Sequence, residues 1–325
     1  MKKSILAIVI ACVCALAALC IVGCGGSPEK SSSSSSEKME VTKEPSSSKK
    51  VIETDPVYIL AVGNDSRYMT AEDEGKTIKD TDPSYSDTIM LLRVDPKTDY
   101  ISVVSIPRDT AVDIDGEPGK INDIHQMKGI QALAEYIEGM FNVKIPYYFD
   151  LHFVDFANLI NKMGGVTMNV PFDITGGDVI TDEDISLSGG ENTLNGNEAL
   201  MLVRQRKIYS DNGEAVRQML SRELVANAIQ SFAKKPASEA AGAADILTSF
   251  GVTNMPKDVL TAYISAFMSN ANEINFNMGS TPYAGGIDDT GAWRAHADAE
   301  TCQKIREAME SGSPITDIVA NPAIG

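Results

Sequence analysis

Apolar residues recur along this chain in two rhythms, one strand-like and one helical, and the two alternate. An unbroken apolar run over 57–63 ends in Gly63 and predicts a strand buried on both faces. A second run covers 88–94. The turn Asp95-Pro96-Lys97-Thr98-Asp99 follows, and a third run over 100–106 pairs back as a hairpin. Helical spacing then takes over at 129–140 and at 153–163, the latter closed by Gly164-Gly165. Residues 166–171 read as a short strand, 189–196 as a turn, 197–206 as a helix and 215–234 as a longer helix. Beyond it the pattern gives helices over 236–250, 257–269 and 299–309, a final strand at 274–278, and a loose tail over 311–325. Strands alternating with helices predict an α/β fold. The expected form is a three-layer α/β/α sandwich with a mixed central sheet, in a single domain over 51–310.

The first 50 residues follow neither rhythm. Lys2 and Lys3 precede an apolar stretch over 4–23 that ends in Ile21-Val22-Gly23-Cys24. Residues 1–24 therefore read as a leader. It is either a lipoprotein signal peptide cut before Cys24, whose thiol then carries lipid, or an uncleaved signal anchor that spans the membrane. Both place the domain at the extracellular face of a cell membrane. Residues 25–50 are rich in Ser, Lys and Glu, with unbroken serine over 31–36, and predict a disordered tether. Four of the five cysteines (Cys12, Cys14, Cys20 and Cys24) lie in the leader, so Cys302 has no partner for an internal disulfide.

A net charge of −17 excludes nucleic acid as a partner, because binding a phosphate backbone needs a basic face. Against that background, arginines set beside carboxylates at the ends of apolar segments need another reason. They occur in Ile106-Pro107-Arg108-Asp109-Thr110, in Val203-Arg204-Gln205-Arg206, and after Asp211 in Arg217-Gln218 and Arg222. Two more carboxylates follow strand-like runs or open them: Asp65 in Gly63-Asn64-Asp65-Ser66-Arg67 and Asp87 in Ser86-Asp87-Thr88. Planar guanidinium groups grip phosphate with two parallel hydrogen bonds, and carboxylates hold a divalent cation over it. The pattern predicts a site for a multiply charged phosphate ester, a pyrophosphate in particular.

In this order, with Lys120-Ile121-Asn122 between them, these segments resemble the LytR–CpsA–Psr family over about 57–224. The resemblance implies a phosphotransferase of Gram-positive cell wall assembly. It would move a glycopolymer, such as teichoic acid or capsule, from a polyprenyl pyrophosphate carrier onto peptidoglycan. It also implies a hydrophobic pocket for the prenyl tail. Magnesium (or manganese) would be held by Asp65 and Asp87. Arg67, Arg108, Lys120, Arg204, Arg206 and Arg217 would clamp the pyrophosphate, with Gln218 donating a hydrogen bond. The catalytic set would be Asp87, Arg108, Asp109, Arg204 and Arg206. Asp109 or Asp211 would orient an arginine, and Asp87 is the candidate to take the acceptor hydroxyl's proton.

The chain departs from the family pattern at Tyr85 and at Glu214, where relatives carry arginine. Asp123-Ile124-His125-Gln126-Met127 replaces a run of small residues. The stretch between Asp65 and Asp87 is longer and more acidic than usual; it holds five acidic residues over 68–84. Restoring the family charge by Glu214→Arg is expected to leave activity unchanged or raise it. A pyrophosphate hydrolase on the same site and a non-catalytic lipid-binding or regulatory module remain open as rival readings. His125, His152 and His296 lack ligand spacing and read as structural or surface residues. The apolar positions Leu159, Ile160 and Met163 read as core or as pocket wall.

Overall fold

The structure, a computed structural model, describes residues 52–64, 85–178, 180–181, 183–270 and 273–324. The leader, the tether, Cys24, Asp65 and Arg67 lie outside the described residues, as do the side chains of Ser210 and Asp211. Residues from 52 onward belong to one compact unit.

The chain opens with an antiparallel meander of β1 (Val57–Asn64), β2 (Ser86–Asp95) and β3 (Tyr100–Ser105). A small hairpin, β4 (Ala111–Ile114) and β5 (Glu117–Lys120), leads into α1 (Ile121–Phe141). β6 (Tyr147–His152) lies parallel to β1, and α2 (Phe153–Met163) starts where it ends. β7 (Val166–Val170), β8 (Ile174–Gly177), β9 (Asp184–Leu187) and β10 (Gly190–Leu194) form two small antiparallel pairs, β7 with β10 and β8 with β9. Two helices follow, α3 (Gly196–Arg204) and α4 (Gly213–Ala233). The chain then runs through α5 (Ala240–Ser249), β11 (Val252–Thr253), α6 (Lys257–Asn270) and β12 (Asn275–Ser280). A last hairpin, β13 (Gly285–Ile287) and β14 (Trp293–Ala295), precedes α7 (Ala299–Ser311).

The central sheet has the order β11-β6-β1-β2-β3-β12, with parallel and antiparallel neighbours. Alternation along its strands makes the layers. Leu60, Val62, Ile89 and Leu91 pack with Leu133 and Ile137 of α1 and with Ile305 and Met309 of α7. Ile59, Met90, Leu92 and Val103 face the other way, onto Val225 of α4, Ala244 of α5, and Leu260 and Phe267 of α6. This is the expected α/β/α sandwich with a mixed sheet. Among the described residues no helix is long and apolar enough to cross a membrane.

The small hairpins β4–β5, β8–β9 and β13–β14 and the short strand β11 were not expected, and four further elements differ from the sequence reading. The segment expected as a turn at 189–196 is largely strand β10, paired residue for residue with β7. The strand β6, between β1 and the short edge strand β11, was not expected, because buried Asp150 and His152 interrupt its apolar pattern. Helix α1 begins at Ile121 rather than 129; Gly129 has φ +83° and breaks it where the periodic reading started. The tail expected to be loose is packed. Ile315 is fully buried, its N–H donates to Asn277 Oδ1 at 3.1 Å, and Asn321 Oδ1 accepts from buried Arg222 at 3.1 Å. Ile315, with Ile318 and Val319 three and four residues on, is too short an apolar group to stand out in the sequence, yet it closes the core between β12 and α7.

Candidate active site

The site is built where β1 and β2 end. Their register slips by one residue: Gly63 pairs with Thr88, but Asn64 pairs with Ser86. Asp87 is the extra residue of this β-bulge, and a bulge re-aims the side chain it carries. Asp87 Oδ1 accepts from Arg108 Nη1, and its backbone carbonyl accepts from Arg217 Nη2 at 2.8 Å. Arg217 Nη1 also reaches Thr88 Oγ1 at 3.3 Å. Arg108 stands just past β3, in a turn closed by Thr110 N–H on the Pro107 carbonyl at 2.9 Å. Asp109 Oδ2 lies 3.6 Å from Arg108 Nε, and Asp109 Oδ1 is 2.6 Å from Lys120 Nζ. Asp109 thus pairs with both Arg108 and Lys120.

The first turn of α4 supplies the opposite side. Glu214 accepts from Arg217 Nε at 3.0 Å and Nη2 at 2.5 Å, and from Gln218 Nε2 at 3.0 Å. Arg206 Nη1 is 3.7 Å away. Burial pushes the Glu214 carboxyl up, but Arg217, Gln218 and Arg108 outweigh it and hold it below the ordinary glutamate range. Gly213 makes this closeness possible: a Cβ there would sit 2.3 Å from the Arg206 carbonyl oxygen.

These groups surround the mouth of one cavity. Its walls are apolar, from Ala61, Met90, Leu151, Phe153, Phe156, Leu200, Val203 and Leu224. Four arginines, Arg108, Arg204, Arg206 and Arg217, line it together with Asp87. Arg204 ends α3 and lays its guanidinium over the Phe153 ring, 4.1 Å from the centroid. A second, polar groove opens on the other side of Asp87 and Arg108, lined also by Tyr85, Asp109, Lys120, Asn122 and Asp123. Local charge is therefore positive in a chain of net −17, and apolar surface begins where the charge ends.

The structure brings together Asp87, Arg108, Asp109, Lys120, Arg204, Arg206 and Arg217. Asp65 and Arg67 lie outside the described residues. Gln218 does not line the cavity; it is buried behind it and donates to Glu214. Arg222 is buried too, and bonds to Tyr283 and Asn321. Ile160 belongs to the core beneath, with Met163 packed against it. The wall residues of α2 are Phe153 and Phe156, three apart on one helix face and visible in the sequence only as part of an apolar stripe. Sequence reasoning also missed Glu214 as a partner of the arginines, treating it as a misplaced charge.

An α/β/α domain here gathers four arginines and a bulged carboxylate along one apolar cavity. Comparison with known proteins places the chain in a family. The model of the LytR_cpsA_psr family matches residues 26–311, and the chain belongs to that family. The chain is 31% identical over 173 residues to the polyisoprenyl-teichoic acid–peptidoglycan teichoic acid transferase TagU of Bacillus licheniformis, covering 53% of this chain and 50% of TagU. It thus spans about half the length of that curated relative. Among solved structures it is similar to B. subtilis TagV, with a TM-score of 0.65, 24% identity, and 84% and 100% of the two chains covered. It also resembles TagT with bound octaprenyl pyrophosphate lipid, with a TM-score of 0.56, 18% identity, and 79% and 89% covered. These likenesses show the fold.

Proposed function

We propose that the protein is a phosphotransferase that moves a glycopolymer from a polyprenyl pyrophosphate carrier onto peptidoglycan, outside the cell. The single observation that carries this reading is the shared wall: Asp87 and Arg108 line both the apolar, arginine-rimmed cavity and the polar groove. The cavity suits a prenyl chain followed by two phosphates, and the groove suits a sugar hydroxyl arriving from the other side. The name of the TagU relative and the prenyl pyrophosphate bound to TagT support the same substrates.

In this reading the acceptor hydroxyl oxygen bonds to the phosphorus that carries the glycopolymer. The bridging P–O bond breaks, and polyprenyl phosphate leaves. The hydroxyl proton passes to Asp87, which stands between groove and cavity. Arg108, Arg204, Arg206 and Arg217 neutralise the non-bridging oxygens, the main demand that phosphoryl transfer makes on a protein. Asp109 holds Arg108 and Lys120 in place. Magnesium or manganese fits this donor set. Asp87 offers hard oxygen at the cavity mouth, and Mg²⁺ takes only one or two carboxylates beside phosphate oxygens and water. The resemblance to the family names Asp87 and Asp65 as the ion's holders; among the described residues no group of three candidate ligands gathers. Such an ion would add charge neutralisation at the transferred phosphoryl group. The leader would keep the domain at the membrane, through lipidated Cys24 or a spanning segment.

The test uses full-length protein with a prenyl-pyrophosphate-linked glycan, peptidoglycan and Mg²⁺. Transfer should vanish in Asp87→Ala and in EDTA, while the variant still folds, with a modest drop in melting temperature because Arg108 loses its Asp87 partner. Full turnover by Asp87→Ala, or in EDTA, contradicts the assignment.

A further inference from the structure

A buried polar chain lies directly behind the bulge and is not used by the chemistry above. Ser86 Oγ is 2.7 Å from His125 Nδ1. His125 Nε2 is 3.2 Å from Asp150 Oδ2, and Asp150 Oδ1 accepts from Asn64 Nδ2 at 2.7 Å. Ser86 and Asn64 are fully buried, and His125 and Asp150 are each less than a tenth exposed. The roles of the ring nitrogens follow from the partners. The Asp150 carboxylate only accepts, so Nε2 carries the hydrogen; in the neutral ring Nδ1 then accepts the Ser86 hydroxyl. Each member is satisfied by the next, which is what a polar network needs to be tolerated in a core.

The topology shows what the chain grips. Its members come from β1, β2, β6 and α1, so it crosses three neighbouring strands and the helix packed on them. Asn64 and Ser86 are the pair that faces across the sheet where the register slips. The network therefore holds both sides of the bulge whose extra residue is Asp87. A serine with zero exposure cannot act as a nucleophile, so the resemblance to an Asp–His–Ser relay is one of geometry and not of chemistry.

We infer that His125, acting through Ser86, and Asp150, acting through Asn64, are positioning residues that lock the bulge and so aim Asp87 at the cavity mouth. The inference rests on the transferase reading for its catalytic consequence, while the lock itself is a property of the fold.

Ser86→Ala removes the hydroxyl at little cost in volume, and His125→Gln keeps a donor toward Asp150 while giving up the ring. Two readouts are needed: kcat and KM of transfer, and hydrogen–deuterium exchange of the amides at 86–88. Each variant should lower kcat by up to about 10²-fold at unchanged KM for the donor, the size expected when a reacting group is misplaced by a fraction of a bond length or more. Exchange should rise at 86–88 and not along the rest of β2. The double variant should lose no more than the worse single one, since both cut the same link. Wild-type kcat in Ser86→Ala, or a loss of kcat matched by higher KM and faster exchange throughout the sheet, overturns the proposal. If His125→Gln fails to fold, Ser86→Ala decides alone. If the wild-type protein shows no transfer, the functional reading falls, and local exchange at 86–88 still decides whether the lock exists.

Discussion

Glu214 fills the guanidinium fork of Arg217, its two carboxylate oxygens meeting Nε at 3.0 Å and Nη2 at 2.5 Å. A phosphate would approach that fork in the same two-pronged way. The carboxylate is thus an internal stand-in for the anion, and a donor must compete with it. Arg217 stays in place without Glu214, because Nη2 also donates to the Asp87 carbonyl. Glu214→Gln should tighten binding of inorganic pyrophosphate by about tenfold, the loss of one competing charge-assisted contact. Calorimetric titration checks this, and weaker binding contradicts it.

The same geometry reverses the sequence expectation for Glu214→Arg. That change would set a further guanidinium among Arg108, Arg206 and Arg217 and remove their shared anion. We expect a lower melting temperature and lower activity, since a partly buried cation without a partner is costly. The pH dependence follows from the depressed Glu214 pKa. Its contribution to stability is complete above the ordinary glutamate value of 4.5 and is lost as pH falls below that toward the folded value. Urea unfolding from pH 7 to pH 3 should show a steeper acid loss in wild type than in Glu214→Gln.

Arg108→Lys and Arg204→Lys should each lose about 10²–10³-fold in kcat although charge is kept. Arg108 spans Asp87 and the cavity with a planar group, and Arg204 stacks on Phe153; an ammonium does neither as well. Steady-state transfer rates that match wild type would make these side chains surface charges.

Much of the fold was legible because β1, β2 and β3 are apolar runs and α2, α3 and α7 are periodic. The arginines and Asp87 were legible for a related reason: charge beside an apolar segment is conspicuous. What could not be read was anything fixed by partners distant in sequence. Tyr147, Tyr148 and Phe149 belong to a strand only because β1 pairs beside them. Glu214 is the exception: Arg217 and Gln218 lie three and four residues on along one helix, a local pairing that the departure from the family pattern obscured. His125 was set aside because Asp150, its carboxylate partner, is 25 residues on in a strand that periodicity did not reveal.

The packed tail offers a test of its own. Ile315 is fully buried against α7 and β12, so Ile315→Ala should cost about 2–5 kcal/mol in denaturant unfolding. A change within a few tenths of a kcal/mol would return the segment to the loose state the sequence suggested.

Cys302 lies in the same core, and burial pushes its thiol up to about 11. Peptide-level alkylation at pH 8 should leave it unlabelled in the folded protein and label it fully in denaturant. Rapid labelling of the native protein would contradict the packing of α7.

The central claim is transfer to a glycan hydroxyl, and acceptor dependence tests it most directly. The full-length protein is incubated with a polyprenyl-pyrophosphate-linked glycopolymer and Mg²⁺, with and without peptidoglycan, and free polyprenyl phosphate is measured. The account predicts release with peptidoglycan present, in step with glycopolymer bound covalently to it, and little release without it. Equal release in both, with no glycopolymer joined to the wall polymer, would show that water is the acceptor and would contradict the transferase reading.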